Sequence, residues 1–380
     1  MKPLSIFKYY INNKKRFIPV FTAIFLGGFL LYTMQMLVDS SYKTVYTAYV
    51  EPQKYYSLIK ARGSMIAPGT DERIRKWDTV DRVLPVVFHY TNINAVIEQT
   101  GTQVLAVNAA EIGPLMSLMK LTLKEGRLPS ADAQEIILHH LVARNKNLKI
   151  GDWFGSDVDG GETLTGKYKV VGILEGSTVI SFFPMEPFVA KYGIPYPERL
   201  GMILIPKEGQ LEAMNEALEK LDSTGIEIRT LDFVRAQHES GKYNVNLLLN
   251  LISISIILIV AVCMGFLCYI YYFQRRRELG LLNAIGFSSQ EIINRAFAEI
   301  GVMSFAGYAA GLSASILTGL ALKFLLFLPS GQILQLVNPD YFVRSFCIPL
   351  FVTLFGVLPV WRMLKRLDPI SMIEGKGDSV

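Results

Sequence analysis

Cysteine is scarce in this chain. There are three in 380 residues, Cys263, Cys268 and Cys347, and all three fall in long apolar stretches. The stretch 39–242 has none, so no disulfide can staple it and its fold must rest on its own core. Histidine is nearly as rare. His89, His139, His140 and His238 are too few and too scattered for a metal centre. His139 and His140 are expected to alternate across a strand end and share no face, and no H-E-x-x-H pair exists. A G-x-S-x-G elbow is also missing, which argues against a hydrolase. The segment from Gly161 to Tyr168 approaches a P-loop, but Tyr168 stands where a Ser or Thr must reach magnesium. It reads instead as a Gly-ended hairpin before a strand, and no other nucleotide loop is present, so the chain is not expected to hydrolyse ATP by itself. Asp157, Asp159 and Glu162 share a Gly-rich turn that reads as a solvated loop rather than a Ca²⁺ site. No internal repeat and no low-complexity linker divides the chain.

What is abundant is apolar sequence. Half of the residues are hydrophobic, 51%, and mean hydropathy is positive. A membrane crossing needs roughly 20 apolar residues, and four stretches offer that: 17–38, 243–274, 300–328 and 345–361, the last being short. Lys323, near the outer end of the third, can snorkel. Charge orients them. The segment 39–242 holds 23 Lys and Arg against 26 Asp and Glu, while the rest of the chain holds 15 against 7. Basic residues gather at Lys2, Lys8, Lys14, Lys15 and Arg16, at the triplet Arg275–Arg276–Arg277 with Arg295, and at Arg362, Lys365 and Arg366. Because Lys and Arg are retained on the inner face, both termini are expected inside and residues 39–242 outside. The net charge of +5 is thus a topology signal, and no nucleic-acid partner is implied. The first apolar run is too long for a signal peptide and lacks a small-residue cleavage site, so it reads as a retained anchor.

Residues 1–16 read as a basic interfacial lead. After the first span, with Gly27 and Gly28 placed for close helix packing, a helix is expected to continue as a stalk to about Lys60. Strands follow over 83–90, 103–108, 134–139, from 153, over 168–174, 202–206 and 226–230, with helices over 140–147 and 210–221. From Leu231 a second helical stalk enters the second span. The expected fold is therefore an α+β membrane protein: four transmembrane helices, with a large α/β extracytoplasmic domain between helices 1 and 2 on helical stalks. A coupling segment occupies 275–299, an outer loop 329–344 and a tail 362–380. Gly307 and Gly311 form a G-x-x-x-G step for helix contact. Asn246, Asn250 and Ser253 share a face in the outer half of the second span. They mark a candidate dimer seam or substrate entry, with structural hydrogen bonding as the alternative.

Past the second span, Glu278 opens a short helix on which Leu281, Leu282 and Ile285 are expected to share a face. Gly286 is placed to stop it, and Ser288 or Ser289 to cap the next helix. A short apolar-faced helix held at the membrane surface suits a soluble partner, or else serves as a connector. The residues Arg275 to Ser288 resemble the hallmark of the MacB/FtsX-like permeases of ABC transporters, with Asn283 where that family carries a basic residue and Phe287 where it carries a small one. Glu125-Gly126-Arg127, Glu135–Leu138, Gly151-Asp152 and Tyr168–Leu174 are similar to that family's outer domain, and Asp368-Pro369-Ile370 to its tail. The resemblance implies that Arg277, Glu278, Leu279, Gly280, Leu281, Leu282, Ala284, Ile285 and Gly286 dock a separate cytoplasmic ABC ATPase, in two copies. It implies a homodimer, or a heterodimer with a similar permease, and opens a place for a membrane-fusion or adaptor protein. ATP and Mg²⁺ would sit on the ATPase and no cofactor on this chain. Motion passed to the outer domain would export or extract an amphiphile such as a peptide, lipid, haem or drug. The alternatives are an FtsX-type regulator of a cell-wall hydrolase and a membrane-anchored sensor.

Overall fold

The structure is a computed structural model that describes residues 14–63, 65–94, 99–221 and 223–365. Most of the basic lead and the Asp368-Pro369 tail lie outside the described residues. The chain divides into a membrane unit, 1–38, 245–321 and 335–380, and an outer unit, 39–244 and 322–334.

Helix α1 (Lys14–Tyr49) runs unbroken from the apolar stretch to the outer unit's first strands. It stops eleven residues before the expected Lys60: Pro52 opens a short 3-10 turn (Pro52–Lys54), and Ser57–Ala61 is strand β1. Proline cannot donate the helical hydrogen bond, and the following Tyr-Tyr-Ser-Leu-Ile run favours extended backbone. The chain continues with α2 (Thr70–Arg75), β2 (Val80–Pro85), β3 (Val87–Asn94), β4 (Gln99–Val107), α3 (Ala109–Leu118), β5 (Thr122–Gly126) and β6 (Glu135–His139). Then come α4 (His140–Asn145), β7 (Trp153–Phe154), β8 (Tyr168–Glu175), β9 (Ile180–Pro184), α5 (Met185–Tyr192), β10 (Gly201–Pro206), α6 (Leu211–Glu219) and β11 (Ile226–Arg229).

The strands form two sheets. The first is antiparallel, in the order β11-β1-β10-β2, and the second is mixed, in the order β3-β4-β9-β6-β8-β5 with β7 also on β8. The single strand expected over 83–90 is two strands in two sheets. Pairing of β2 with β10 ends at Pro85 opposite Met202, and Val87 opens the pairing of β3 with β4. Alternation along the strands explains the layering. In β10, Ile203 and Ile205 join the core shared with Leu105, Phe182 and α3 between the sheets, while Met202 and Leu204 pack with Met214 and Leu218 of α6. In β4, Val104 and Ala106 face a third core with α4 and α5. A period of two with both faces covered gives strands that read as continuous apolar runs.

Helix α7 (Leu231–Gln274) is 44 residues long. It leads into α8 (Arg276–Ala284), α9 (Ser289–Leu322), a π-turn at Lys323–Phe327 and α10 (Pro339–Lys365). Among the described residues, four helices are long and apolar enough to cross a membrane: Ile18–Tyr49, Leu231–Gln274, Ser289–Phe327 and Pro339–Met363. The last is longer than the expected 345–361, because the helix continues through Asp340 and Arg344, charges that end an apolar run but not a helix. Helix α9 lies on α1 through small residues. A Cβ on Gly311 would fall 2.5 Å from the Phe25 carbonyl oxygen, and one on Gly307 3.1 Å from Ile24 Cβ. Ser315 Oγ donates to the Phe29 carbonyl at 2.9 Å. Gly28 faces Tyr308, and Gly27 faces Val260. Lipid gives no hydrophobic gradient between helices, so close backbone contact and hydrogen bonds hold them.

Within the outer unit the extensions of α1 and α7 meet. Tyr42 donates through its hydroxyl to the Gly241 carbonyl at 3.0 Å. The Tyr42 and Tyr46 rings stand edge-on to His238 at 5.7 and 5.4 Å. The loop after α9 reaches α4, where Asn145 Nδ2 donates to the Ser330 carbonyl at 2.6 Å.

Candidate docking helix and its buried anchor

Only Arg275 separates α7 from helix α8, which holds nine residues, Arg276–Ala284. Gly286 stops it. Its φ of +108° suits glycine, although a Cβ there would meet nothing within 4 Å, so backbone conformation alone selects the residue. Gly286 N–H donates to the Asn283 carbonyl at 3.0 Å and Phe287 N–H to the Leu282 carbonyl at 3.1 Å. This is a Schellman ending, with the Phe287 and Leu282 side chains both on the membrane-unit core. The next helix starts on a reciprocal cap. Glu291 N–H donates to Ser288 Oγ at 3.2 Å, and Ser288 N–H donates to Glu291 Oε2 at 2.8 Å. Ser288, rather than Ser289, is therefore the cap.

The helix sorts its side chains by periodicity. Leu279 is buried, Gly280 is buried and Leu282 is partly buried against α7 and α9. Leu281 and Ile285 point the other way, 57% and 73% exposed. The expectation that Leu281, Leu282 and Ile285 share a face is corrected here: adjacent residues on a helix stand about 100° apart, and Leu282 turns inward. The outward stripe is Glu278, Leu281 and Ile285, spaced i, i+3, i+7, with Arg277, Ala284 and Gly286 also exposed.

What holds α8 is a buried charge cluster. Arg275, 4% exposed, lies against Glu299, 2% exposed. Arg275 Nη1 meets Glu299 Oε2 at 3.1 Å, and Arg295 Nε meets Glu299 Oε1 at 3.0 Å. Tyr272 donates its hydroxyl hydrogen to Glu299 Oε2 at 2.8 Å, and Arg275 Nη1 lies 3.1 Å from the Tyr271 hydroxyl. Arg275 Nε also reaches the exposed Glu278 carboxylate at 3.1 Å. One carboxylate thus ties the end of α7, the start of α8 and the first turns of α9 into a single block. Sequence reasoning counted Arg275 and Arg295 as topology charges and missed Glu299. The signal was the i, i+4 spacing of Arg295 and Glu299 at the mouth of an apolar run.

The second sequence candidate is only partly assembled. Ser253 Oγ donates to the Leu249 carbonyl of its own helix at 2.7 Å. Asn250 Oδ1 accepts from Arg344 Nη1 of α10 at 3.0 Å. Asn246 is half-buried one turn above. Elsewhere, His139 and His140 do contact each other, contrary to expectation, with ring centroids 4.5 Å apart. The backbone turns into α4 between them, so strand alternation stops. No group of three or more metal-ligating side chains occurs among the described residues. The Asp157, Asp159 and Glu162 carboxylates take separate partners: Lys191 at 3.6 Å, the Gly161 N–H at 3.0 Å, and Lys146 at 2.9 Å. Glu162 is buried, not solvated.

Residues 250–369 match the family described as FtsX-like permease C-terminal. That stretch, about a third of the chain, is similar to the C-terminal part of FtsX-like permeases. The matched stretch contains the last 25 residues of α7, all of α8, the Glu299 cluster, α9 and α10. No curated protein matches the chain. Among solved structures, the periplasmic region of MacB from Actinobacillus actinomycetemcomitans is similar at 12% identity. That match covers 51% of this chain and 95% of the other, with a TM-score of 0.32. The extracellular domain of the noncanonic ABC-type transporter YknZ from Gram-positive bacteria is similar at 11% identity, covering 46% and 99%, with a TM-score of 0.29.

Proposed function

We propose that this chain is a MacB/FtsX-like ABC permease that converts ATP hydrolysis by two copies of a separate cytoplasmic ABC ATPase into motion outside the cell. That motion exports or extracts an amphiphile. The observation that carries the reading is the pairing of an exposed Glu278–Leu281–Ile285 stripe with a rigid buried mount. A partner gripping the stripe moves α7 and α9 together, since Glu299 binds both. Helix α7 is one continuous rod of 44 residues, and its far end is fastened to the α1 extension through Tyr42 and Gly241. The ATPase carries the ATP and Mg²⁺, and this chain supplies no catalytic group. Two ATPases require two permeases, either two copies of this chain or this chain with a similar one. Both termini lie inside.

The test is gentle detergent purification of the tagged chain from its host, followed by mass spectrometry. A near-equimolar ABC ATPase is expected, lost in Glu278→Lys or Leu281→Asp while the permease stays in the membrane. Undiminished ATPase in both variants overturns the docking assignment. A secreted hydrolase retained alongside the ATPase overturns transport in favour of hydrolase control. Tags at residue 160 and at the C-terminus should report opposite sides of the membrane.

A further inference from the structure

Between α7 and α10 the membrane unit holds a cleft of about 830 Å³. Its walls are Phe266, Tyr269, Phe355 and Leu358, with Gly265 at its floor. The cleft has a structural origin. Pro359 has no N–H to offer the Phe355 carbonyl one turn earlier. That carbonyl faces Gly265, where an added Cβ would stand 3.3 Å away. A glycine and a proline on facing helices therefore draw the backbones together at one point, and large side chains stand out on either side of it. Phe266 is 67% exposed and Leu358 40%.

The lining is apolar along its length but not at its end. Arg362 lies at the end nearer the Arg275–Arg276–Arg277 triplet, and it is exposed. Helix α10 carries a second arginine, Arg344, eighteen residues earlier. Eighteen residues are five helical turns, so both arginines stand on one face, about 27 Å apart. The hydrocarbon core of a bilayer is about 30 Å thick. That separation is close to the thickness of the hydrocarbon core, so the helix carries an arginine near each end of its apolar stretch. The two ends differ. Arg344 is engaged by Asn250, whereas Arg362 borders the open cleft. An apolar slot ending in a guanidinium complements a lipid of net negative charge, whose acyl chain fits the slot and whose headgroup phosphate meets the guanidinium with no choline cation beside it.

We propose that this cleft is a binding site for one anionic phospholipid of the surrounding leaflet. Its acyl chain lies against Gly265, Phe266 and Phe355, and its phosphate sits on Arg362. The site is separate from the Glu278–Leu281–Ile285 stripe and does not depend on any ATPase binding there.

The test is native mass spectrometry of the full-length chain in mild detergent, titrated with phosphatidylglycerol or phosphatidylcholine. One phosphatidylglycerol per chain is expected, at least ten-fold tighter than phosphatidylcholine. Arg362→Glu should remove that preference and Gly265→Leu should remove binding, while Arg344→Glu, a change outside the cleft, leaves it intact. Equal binding of both lipids by the unaltered chain, or an unchanged preference in Arg362→Glu, overturns the proposal. A photo-crosslinking side chain at Phe266 gives a readout that needs no altered affinity. An adduct with phosphatidylglycerol supports the site, and an adduct only with a second copy of the chain shows that a protein seam covers the cleft and overturns it.

Discussion

The membrane unit and the outer unit each bury a carboxylate, and they do so differently. In the outer unit Glu162 is met by Lys146, whose side chain is still 17% exposed. In the membrane unit Glu299 is met by Arg275, Arg295 and Tyr272, and Arg275 is itself sealed. A lysine on a flexible stem can turn to water when its partner goes, but a guanidinium locked in a fork cannot. The outer carboxylate completes a fold that its sheets already specify. The membrane carboxylate joins three helices between which lipid supplies little driving force.

That contrast sets the largest expected effect. Among the described residues, Glu299→Gln leaves the buried Arg275 with only the exposed Glu278 carboxylate as a countercharge, and breaking a buried pair in this way typically costs about 3–5 kcal/mol. Glu162→Gln should cost about 1–3 kcal/mol, the penalty for a weakened buried polar contact. Thermal unfolding of the two detergent-solubilised variants compares them directly. A double change, Arg275→Met with Glu299→Leu, should recover part of the loss, since replacing both sealed partners by apolar groups is often neutral and the third, Arg295, is the more exposed of the two arginines. If the double variant is no better than Glu299→Gln, packing rather than charge holds the block.

Glycine gives the second comparison. Gly126 in the outer unit has φ +86°, and a Cβ there would fall 2.2 Å from the Val171 carbonyl oxygen. Gly126→Ala therefore combines backbone strain with overpacking, about 2–4 kcal/mol. Gly311 is an ordinary helical glycine whose Cβ would meet the Phe25 carbonyl. Gly311→Ala carries only the overpacking, about 1–3 kcal/mol, and should show as weaker α1–α9 contact in a cysteine cross-linking assay. Equal destabilisation by the two changes would remove the distinction.

Histidine supplies a third comparison, confined to the outer unit. Burial lowers His139 to about 3, with His140 adding to the effect, and lowers His89 to about 4. His139 Nε2 lies 3.2 Å from the Gly176 carbonyl, while Nδ1 accepts from the Leu141 N–H at 3.4 Å. That arrangement requires the neutral ring, and a second proton would oppose the Leu141 donor. Because the folded-state values lie below the ordinary 6.5, the stabilisation is complete above pH 6.5. It falls as the medium is acidified toward pH 3–4, by at most about 1.4 kcal/mol per pH unit for each ring. Unfolding of the full-length chain followed by tryptophan fluorescence should show this slope, and His139→Gln should flatten it. A slope unaltered by that change assigns the acid sensitivity elsewhere.

The two units were also unequally legible. Long uncharged runs declare their helices, so α7 and α9 could be read from composition, and the Arg275–Ser288 pattern announced α8. Which face of α8 turns outward was not readable, because Leu281 and Leu282 are chemically alike and only the packing partner tells them apart. Glu299 was hidden for the opposite reason. Its partner Arg275 is twenty-four residues away, across a helix and a tight turn, and a lone carboxylate at a span's edge reads as an end marker. In the outer unit the strands showed their apolar runs, but their assignment to two sheets did not follow. The crossing at Pro85–Val87 lies inside what reads as one strand, and both faces of each sheet are covered, so alternation carried no sign of which side was which.

The smallest expected effect concerns the place where α1 and α7 run side by side beyond their apolar stretches. Lys242 Nζ lies 3.5 Å from Asp39 Oδ1, with the lysine side chain 44% exposed. A pair so open to water contributes about 0–1 kcal/mol and is screened by salt. The neutral contacts beside it, Tyr42 and Tyr46 on His238 and the Tyr42 hydroxyl on Gly241, have no such dependence. Lys242→Ala should therefore leave unfolding nearly unchanged at any ionic strength, whereas Tyr42→Ala should loosen the junction at low and high salt alike. A cysteine pair across the two helices reports the difference as a change in cross-linking rate. If Lys242→Ala slows cross-linking more than Tyr42→Ala does, and salt reproduces its effect, the junction is electrostatic, and force passing along α7 would depend on the ionic medium outside the membrane.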